Sequence, residues 1–221
     1  MVDLKEISHS LQSGKAQKTS ELISQAIEEN YSIENILKQG LIAGMSAVER
    51  RFRQNEIFIP DVLVATRAMN MGIKVLKPSL TVSEEEKKGT VIIGTAKGDM
   101  QEIDKSLIGI MMLGMGLKVV DLGAGVSQER FIAAAKEEGA QIIVCIASLP
   151  TTMPHMKSLV QALNASGLHD EIKVMIYGKP VTDRYAQTIG ADFYAPDTEK
   201  AAEIAVTYCK KNPALVTADS F

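Results

Sequence analysis

The hydrophobic rhythm of this chain changes near residue 90, and that change limits the folds it can adopt. Up to residue 80 the apolar residues recur at helical spacing, whereas beyond it short apolar runs rich in β-branched residues alternate with helical patterns. The five runs are TVIIGT at 90–95, KVVDLG at 118–123, AQIIVCIA at 140–147, IKVMIYG at 172–178 and ADFYAP at 191–196. Strands that alternate with helices predict an α/β domain whose parallel sheet is covered on both faces.

Helical patterns follow each of these runs, at 105–116, 127–138, 153–166, 182–189 and 198–211. Five such units predict a Rossmann-like, flavodoxin-like domain with a five-stranded parallel sheet. Ligands of these sheets bind beyond the carboxyl ends of the strands. We therefore expect a binding site among the loops 97–104, 123–126, 148–153, 178–181 and 195–197.

The first 80 residues predict helices only, joined by short loops. The segment 32–52 carries one apolar stripe behind a potential N-cap, Ser32, and the segment 59–78 has Pro60 in its first turn and Pro78 at its end. Two shorter amphipathic stretches precede them, so a small four-helix bundle is predicted. We place the bundle at residues 1–88 and the sheet domain at 89–221, with a solvated linker over 78–90.

Composition excludes several classes of function. The net charge is -3 and no long basic run is present, which argues against nucleic-acid binding. No apolar run approaches the length of a membrane span, and the first ten residues do not resemble a signal peptide. The two cysteines, with Cys145 inside an apolar run, are typical of a reduced, cytoplasmic protein, and the three histidines form no zinc pattern.

The first strand-end loop, GDMQEID at 98–104, carries two carboxylates around an amide. It lacks the G-x-G-x-x-G of a dinucleotide site, and no G-K-[ST] of a Walker A loop is present. A receiver domain would need a strand-end aspartate and a late lysine, for which Asp121 and Lys179 remain candidates.

The stretch GTAKGDMQEIDKSLIGIMMLGMGLKVVDLG at 94–123 resembles the opening of a cobalamin-binding domain, in particular that of the corrinoid proteins of methanol and methylamine methyltransferase systems. The resemblance continues through TTMPHMKSLVQAL, VMIYGKPVTDRYAQTIGADFYAPD and the helical half at 40–78, so it covers nearly the whole chain. It implies a helical cap followed by a Rossmann-like domain, with cobalamin as the cofactor.

The departures from this family lie in its D-x-H-x-x-G signature. Asp99 matches the aspartate, but Gln101 stands where the family has the histidine that ligates cobalt from below, and Asp104 stands in place of the glycine. A carboxamide oxygen is a poor ligand for a transition metal. Either cobalamin binds base-off with a weakly ligated or empty lower face, which we favour, or binding has been lost.

Two further motifs of the family are altered as well. In its S-x-L motif, Ile146 takes the serine position and Ser148 the leucine position, and Tyr177-Gly178 replaces a pair of glycines. Side chains at Asp104 and Tyr177 would narrow the channel for the nucleotide tail or select a different tail. The sequence leaves that choice open.

The resemblance assigns a set of candidate cofactor-binding residues to the strand-end loops, and one methionine of the cap, Met69, could cover a flat apolar macrocycle or belong to the bundle core. No metal ligand is assigned beyond a weak contact from Gln101. The full set is Gly98, Asp99, Met100, Gln101, Ile103, Asp104, Ile146, Ser148, Leu149, Thr151, Thr152, Tyr177, Gly178, Lys179, Pro180, Tyr194, Ala195, Pro196 and Met69.

The function that this resemblance implies is that of a corrinoid carrier, which shuttles a methyl group between partner methyltransferases. Its expected partners are a substrate-side methyltransferase, a methyl-acceptor methyltransferase and a corrinoid reductive activase. The bundle is expected to cover the upper corrin face and to move about a hinge at 83–89. A cobalamin sensor or storage module remains the alternative, while a free-standing mutase would need a substrate barrel that this chain lacks.

Overall fold

The computed structural model describes residues 2–80 and 88–212, and the chain divides into two compact units, Met1–Thr81 and Val82–Phe221. The predicted hinge at 83–89 lies outside the described residues except for Lys88 and Gly89. Both of these are held by the second unit, since the Lys88 N–H donates to the Gly116 carbonyl at 2.9 Å and the Gly89 carbonyl accepts from the Lys118 N–H at 2.8 Å.

The helical unit contains the predicted bundle. Its helices are α1 Leu4–Gln12, α2 Ala16–Glu28, α3 Ile33–Asn35, α4 Ala43–Arg53 and α5 Ile59–Leu76. A π-helical segment, Ile36–Ile42, joins α3 to α4, so the uninterrupted α-helix predicted for 32–52 is wound more widely in its first half. A short 3₁₀ segment, Lys77–Leu80, follows α5 around the proline that was expected to end it.

The predicted helix signals are present in this unit. The Ser32 hydroxyl caps α3 by accepting from the Asn35 N–H at 3.2 Å, and Pro60 occupies the first turn of α5. Gly40 and Gly44 let α1 approach closely, because an added Cβ at Gly40 would lie 2.9 Å from a methyl group of Ile7. Met69 is fully buried, as an ordinary core residue would be.

The second unit is the predicted five-stranded parallel sheet. Its strands are β1 Thr90–Thr95, β2 Lys118–Asp121, β3 Ile142–Ile146, β4 Lys173–Tyr177 and β5 Phe193–Ala195, in the order β2-β1-β3-β4-β5. All neighbouring strands are parallel. The helices between and after them are α6 Ile103–Gly114, α7 Gln128–Glu137, α8 Met153–Ala165, α9 Asp183–Ile189 and α10 Thr198–Lys211. The chain order reverses between β1 and β3, the place where ligands bind in flavodoxin-like sheets.

Strand alternation divides the core into two layers. Cys145, Val174 and Ile176 belong to one cluster with side chains of α7, α8 and α9. The intervening positions, such as Ile146 and Tyr177, therefore face the other side, where α6 and α10 pack against each other. The two faces of the same strands can thus serve different sites.

We predict that Gly178→Ala lowers the free energy of unfolding by about 3 kcal/mol or more, because overpacking against the backbone cannot be relieved by a rotamer change. The added Cβ would lie 1.8 Å from the Ala147 carbonyl oxygen at a φ of 151°. Gly139→Ala is the matched control, since its φ is also positive, at 58°, but nothing lies within 4 Å of the added Cβ.

The control should cost about 1–2 kcal/mol, the strain of a left-handed backbone alone. Chemical denaturation of both variants measures the difference. Equal losses would mean that the loop carrying Gly178 shifts easily and that the close approach imposes no constraint.

Candidate functional site

The carboxylate of Asp99 lies at the centre of the candidate site, and its residue is fully buried. One oxygen, Oδ1, accepts from the Gln101 backbone N–H at 3.0 Å. The other, Oδ2, accepts from the Ser148 backbone N–H and from the Thr152 hydroxyl at 3.3 Å. Hydrogen bonds to a charged acceptor are the strong ones, so this carboxylate holds together the loops that follow β1 and β3.

The backbone of the same residue joins a third loop. The Gly125 N–H is shared by two acceptors: the Asp99 carbonyl at 3.0 Å and the Thr95 hydroxyl oxygen at 2.9 Å. An isolated parallel bridge pairs Ala96 with Val126. The loops after β1, β2 and β3, three of the five singled out from the sequence, therefore converge on Asp99.

The residues at the altered tail motifs are neighbours in the sheet. Ile146, at the end of β3, is directly paired with Tyr177, at the end of β4, and both point toward the α6 and α10 face. Asp104 lies in the first turn of α6, which begins at Ile103, two residues earlier than predicted. The three residues that the sequence resemblance predicts to depart from the family pattern thus come from elements that adjoin the same face.

The segments at the ends of β4 and β5 carry further candidate residues. The Val181 N–H donates to the Gly178 carbonyl at 3.0 Å, which closes a turn over Lys179 and Pro180. In β5, Ala195 is paired with Tyr177. Tyr194 instead packs against the cluster of α7, α8 and α9, so it lies across the sheet from the altered motifs.

A buried ammonium group near the site was not predicted from the sequence. Lys105 is 3 % exposed, and its Nζ forms ion pairs with Asp121 and, at 3.2 Å, with Glu102. Asp121 also accepts from the Gly123 N–H at 2.9 Å, so the carboxylate weighed as a receiver aspartate serves to tie β2 and its loop to α6. The sequence signal was a lysine in the first turn of a helix that is almost entirely apolar beyond Ser106.

The large exposed hydrophobic side chains of the second unit concentrate in two loops. Among its described residues they are Met100, 75 % exposed, Ile103, 36 % exposed, and Leu149, 42 % exposed. All three lie in the loops that Asp99 joins or in the helix turn that follows. We call these three residues the apolar platform, and an exposed apolar surface around a buried polar anchor is typical of a binding site for a large apolar ligand.

Comparison with known proteins identifies the family. A family model described as a B12 binding domain matches residues 3–77, and a second model with the same description matches residues 89–205. This chain is a member of the B12-binding corrinoid proteins.

Its relatives share most of their length with it. Corrinoid protein DSY3155 of Desulfitobacterium hafniense is 35 % identical over 205 residues, covering 91 % of this chain and 95 % of the relative. The structure of the Methanosarcina barkeri monomethylamine corrinoid protein has a TM-score of 0.76 at 31 % identity, with 93 % of this chain and 97 % of that chain covered. A methanol:cobalamin methyltransferase complex from Methanosarcina barkeri gives a TM-score of 0.54 at 27 % identity, covering 92 % of this chain and 78 % of that one.

The cofactor of the family is a corrinoid. The side chains of this chain suit its macrocycle better than they suit its cobalt. The apolar platform suits the flat, largely apolar macrocycle. Gln101 is solvent-exposed, and its carboxamide is a poorer ligand for a transition metal than an imidazole. Within the described residues, no group of three or more His, Cys, Asp or Glu side chains could hold a metal ion. No described helix has the length and apolarity required to cross a membrane.

We predict that Asp99→Asn destabilises the protein by about 3 kcal/mol, since an amide nitrogen would replace one of two buried oxygens that accept hydrogen bonds. Asp170→Asn, at an exposed position, is the matched control and should change stability by less than about 0.5 kcal/mol. Thermal and urea unfolding of the full chain test this. A loss for Asp99→Asn no larger than that of the control would show that the three loops are held by other contacts.

Proposed function

We propose that this corrinoid protein is a methyl-group carrier that binds cobalamin base-off, with Gln101 under the cobalt as a weak ligand at most. The observation that carries the proposal is the apolar platform around a fully buried, hydrogen-bonded Asp99. When bound, a corrinoid supplies the chemistry of accepting a methyl group from one compound and giving it to another. The chain itself contributes binding, orientation and exclusion of water.

The partners we propose are methyltransferases on the substrate side and on the acceptor side. The support is that the solved relatives include a methanol:cobalamin methyltransferase complex and a monomethylamine corrinoid protein. Their methyl donors differ, so the donor of this chain is a question for experiment. A corrinoid reductive activase is proposed as an additional partner.

The platform would bind the corrin through dispersion and exclusion of water. Met100 and Leu149 come from different loops, yet Asp99 fixes both loops through hydrogen bonds to the backbone of Gln101 and Ser148. Two surfaces that are already ordered lose little conformational entropy when a rigid ligand binds. Asp99 would thus act on affinity through the loops, without touching the macrocycle.

Gln101 changes what the lower side of the site can offer. An amide does not titrate near neutral pH and binds transition metals poorly, so it can neither supply a strong axial ligand nor release one on protonation. A weak or absent lower ligand favours the reduced, low-coordinate metal. We therefore propose that the substitution tunes the bound group toward easier reduction.

The nucleotide tail is proposed to lie beside the sheet on the face of α6 and α10. Ile146 and Tyr177 are paired neighbours on that face, and Asp104 is in the first turn of α6. These side chains are larger than those of the family motifs, so the channel should accept a narrower or differently shaped tail. Placement of the bundle over the upper corrin face stays a prediction.

We predict that the full chain retains hydroxocobalamin through gel filtration at about one corrinoid per chain. Met100→Glu should weaken binding about tenfold, because about 60 Å² of apolar surface would no longer be buried favourably. Lys157→Glu is the control: it adds the same side chain at an exposed position of α8 and should leave the affinity unchanged. Elution of all corrinoid as free ligand would support the alternative that binding has been lost.

We predict that protein-bound Co(II) corrinoid shows no axial nitrogen splitting in its electron paramagnetic resonance spectrum. Gln101→His should introduce that splitting and lower the Co(II)/Co(I) potential, because an imidazole stabilises the oxidised metal. Oδ1 of Asp99 accepts one described hydrogen bond and, as a carboxylate oxygen, has a second lone pair to orient the imidazole.

Gln101→Leu is the matched control for this experiment, since it removes the amide without adding a nitrogen donor. Its spectrum should match that of the unmodified protein. Strong nitrogen splitting in the unmodified protein would mean that the benzimidazole of the cofactor or another histidine is coordinated, and the role assigned to Gln101 would be wrong.

A further inference from the structure

A cavity of about 110 Å³ lies on the opposite face of the sheet from the altered tail motifs. It is lined by residues from the carboxyl ends of β1 and β3 and from the first halves of α7 and α8, and all of them belong to the second unit. Cys145 contributes its side chain to this face, whereas its neighbour Ile146 faces α6 and α10. The cavity is therefore separate from the surface proposed for the corrinoid tail.

The floor of the cavity is apolar. Phe131, Cys145 and Leu159 line it, and each is 1 % exposed. Burial raises the pKa of the Cys145 thiol to about 12, with the nearby Asp99 charge as a second cause, so the thiol stays protonated and is a poor nucleophile.

The mouth of the cavity is polar and carries both signs of charge. Lys97, Glu129 and His155 line it. The pKa of Glu129 is lowered, first by its hydrogen bond to backbone N–H and then by the Ser127 hydroxyl, and the Lys97 ammonium acts in the same direction. Lys97 and Glu129 bring one ammonium and one carboxylate to the mouth, so their formal charges cancel.

We propose that this cavity is a second binding site, for a small uncharged molecule that has an alkyl or aryl end and one hydrogen-bonding head. The apolar end would rest on Phe131, Leu159 and Cys145, and the head would lie between Lys97, Glu129 and His155. An apolar cavity of about 150 Å³ holds benzene, so this smaller space suits ligands of about four to seven non-hydrogen atoms. A neutral mouth with both charges ionised disfavours a head that carries a net charge of either sign.

The position of the site explains why a ligand there would matter. Cys145 lies near the end of β3, three residues before Ser148, whose N–H donates to the Asp99 carboxylate, and Lys97 begins the loop that carries Asp99. His155 lies three residues after Thr152, which donates to the same carboxylate. An occupant would thus contact two of the loops that Asp99 holds, from the side away from the platform.

The test uses the full chain and three ligands that each contain four carbon atoms: butan-1-ol, butyrate and butylammonium. We expect saturable amide chemical-shift changes at Ala96, Phe131 and Leu159 in two-dimensional NMR with butan-1-ol, and at least fivefold weaker binding of the two ions. Saturation with hydroxocobalamin should leave the butan-1-ol titration unchanged. Displacement by the corrinoid, or shifts confined to residues away from the cavity, would overturn the proposal.

Variants of the floor and the mouth sharpen the result. Cys145→Leu should fill the cavity and weaken butan-1-ol binding at least fivefold, whereas Cys145→Ser, which keeps the volume, should change it little. Lys97→Gln should favour butylammonium and Glu129→Gln should favour butyrate, each by about fivefold, as one well-solvated charge about 5 Å away would produce.

The two mouth variants change exposed side chains, so they decide the question even if Cys145→Leu fails to fold. Selectivity among the three ligands that is the same in both mouth variants as in the unmodified protein would contradict the site. So would binding of butan-1-ol that a folded Cys145→Leu leaves unchanged.

Discussion

The buried carboxylate of Asp99 is the interaction on which the architecture of the binding end depends. A charge removed from water is tolerated only when hydrogen-bond donors surround it. Here the donors are the backbone N–H groups of Gln101 and Ser148 and the hydroxyl of Thr152. Because the donors come from the segments after β1 and β3, satisfying this one charge fixes the start of α6 and of α8 relative to the sheet.

Consecutive residues of β3 lie on opposite faces of the sheet and therefore belong to two different surfaces. The side chain of Cys145 faces α7 and α8, whereas that of Ile146 faces α6 and α10. The alternation of a strand makes this division obligatory, since consecutive side chains point to opposite sides. A ligand on one face and a ligand on the other can therefore share the Asp99 loop without competing for the same atoms.

Much of the fold could be predicted from the sequence, because each element has a strong local signal. β1 and α10 occupy the residues predicted for them, since an apolar β-branched run and a helical stripe that begins after the N-cap Asp197 are each strong local signals. The parallel sheet and the bundle follow from the order of such elements. Strand-end loops could be named as binding segments because topology alone places carboxyl ends at one edge.

The remaining features depend on contacts distant in sequence. The ion pairs of Lys105 require β2 to lie beside α6, and no local pattern reveals that Asp121 is its partner. The π-helical segment Ile36–Ile42 packs against α1, and its own hydrophobic pattern, which resembles that of an ordinary helix, does not reveal the wider winding. Hydrophobic periodicity does not predict the apolar platform either. In the sequence Met100 is an ordinary loop residue, and only the contact between the loops after β1 and β3 brings it near Leu149.

The close approach at Gly178 also bears on how this family can diverge. Its backbone packs against the Ala147 carbonyl, where even a methyl group would lie within 1.8 Å of the oxygen. Any descendant with this backbone must keep that glycine, whether or not it still carries a corrinoid. Natural selection on the fold alone would therefore preserve this glycine, whereas the exposed side chain of Gln101 is under no comparable steric constraint.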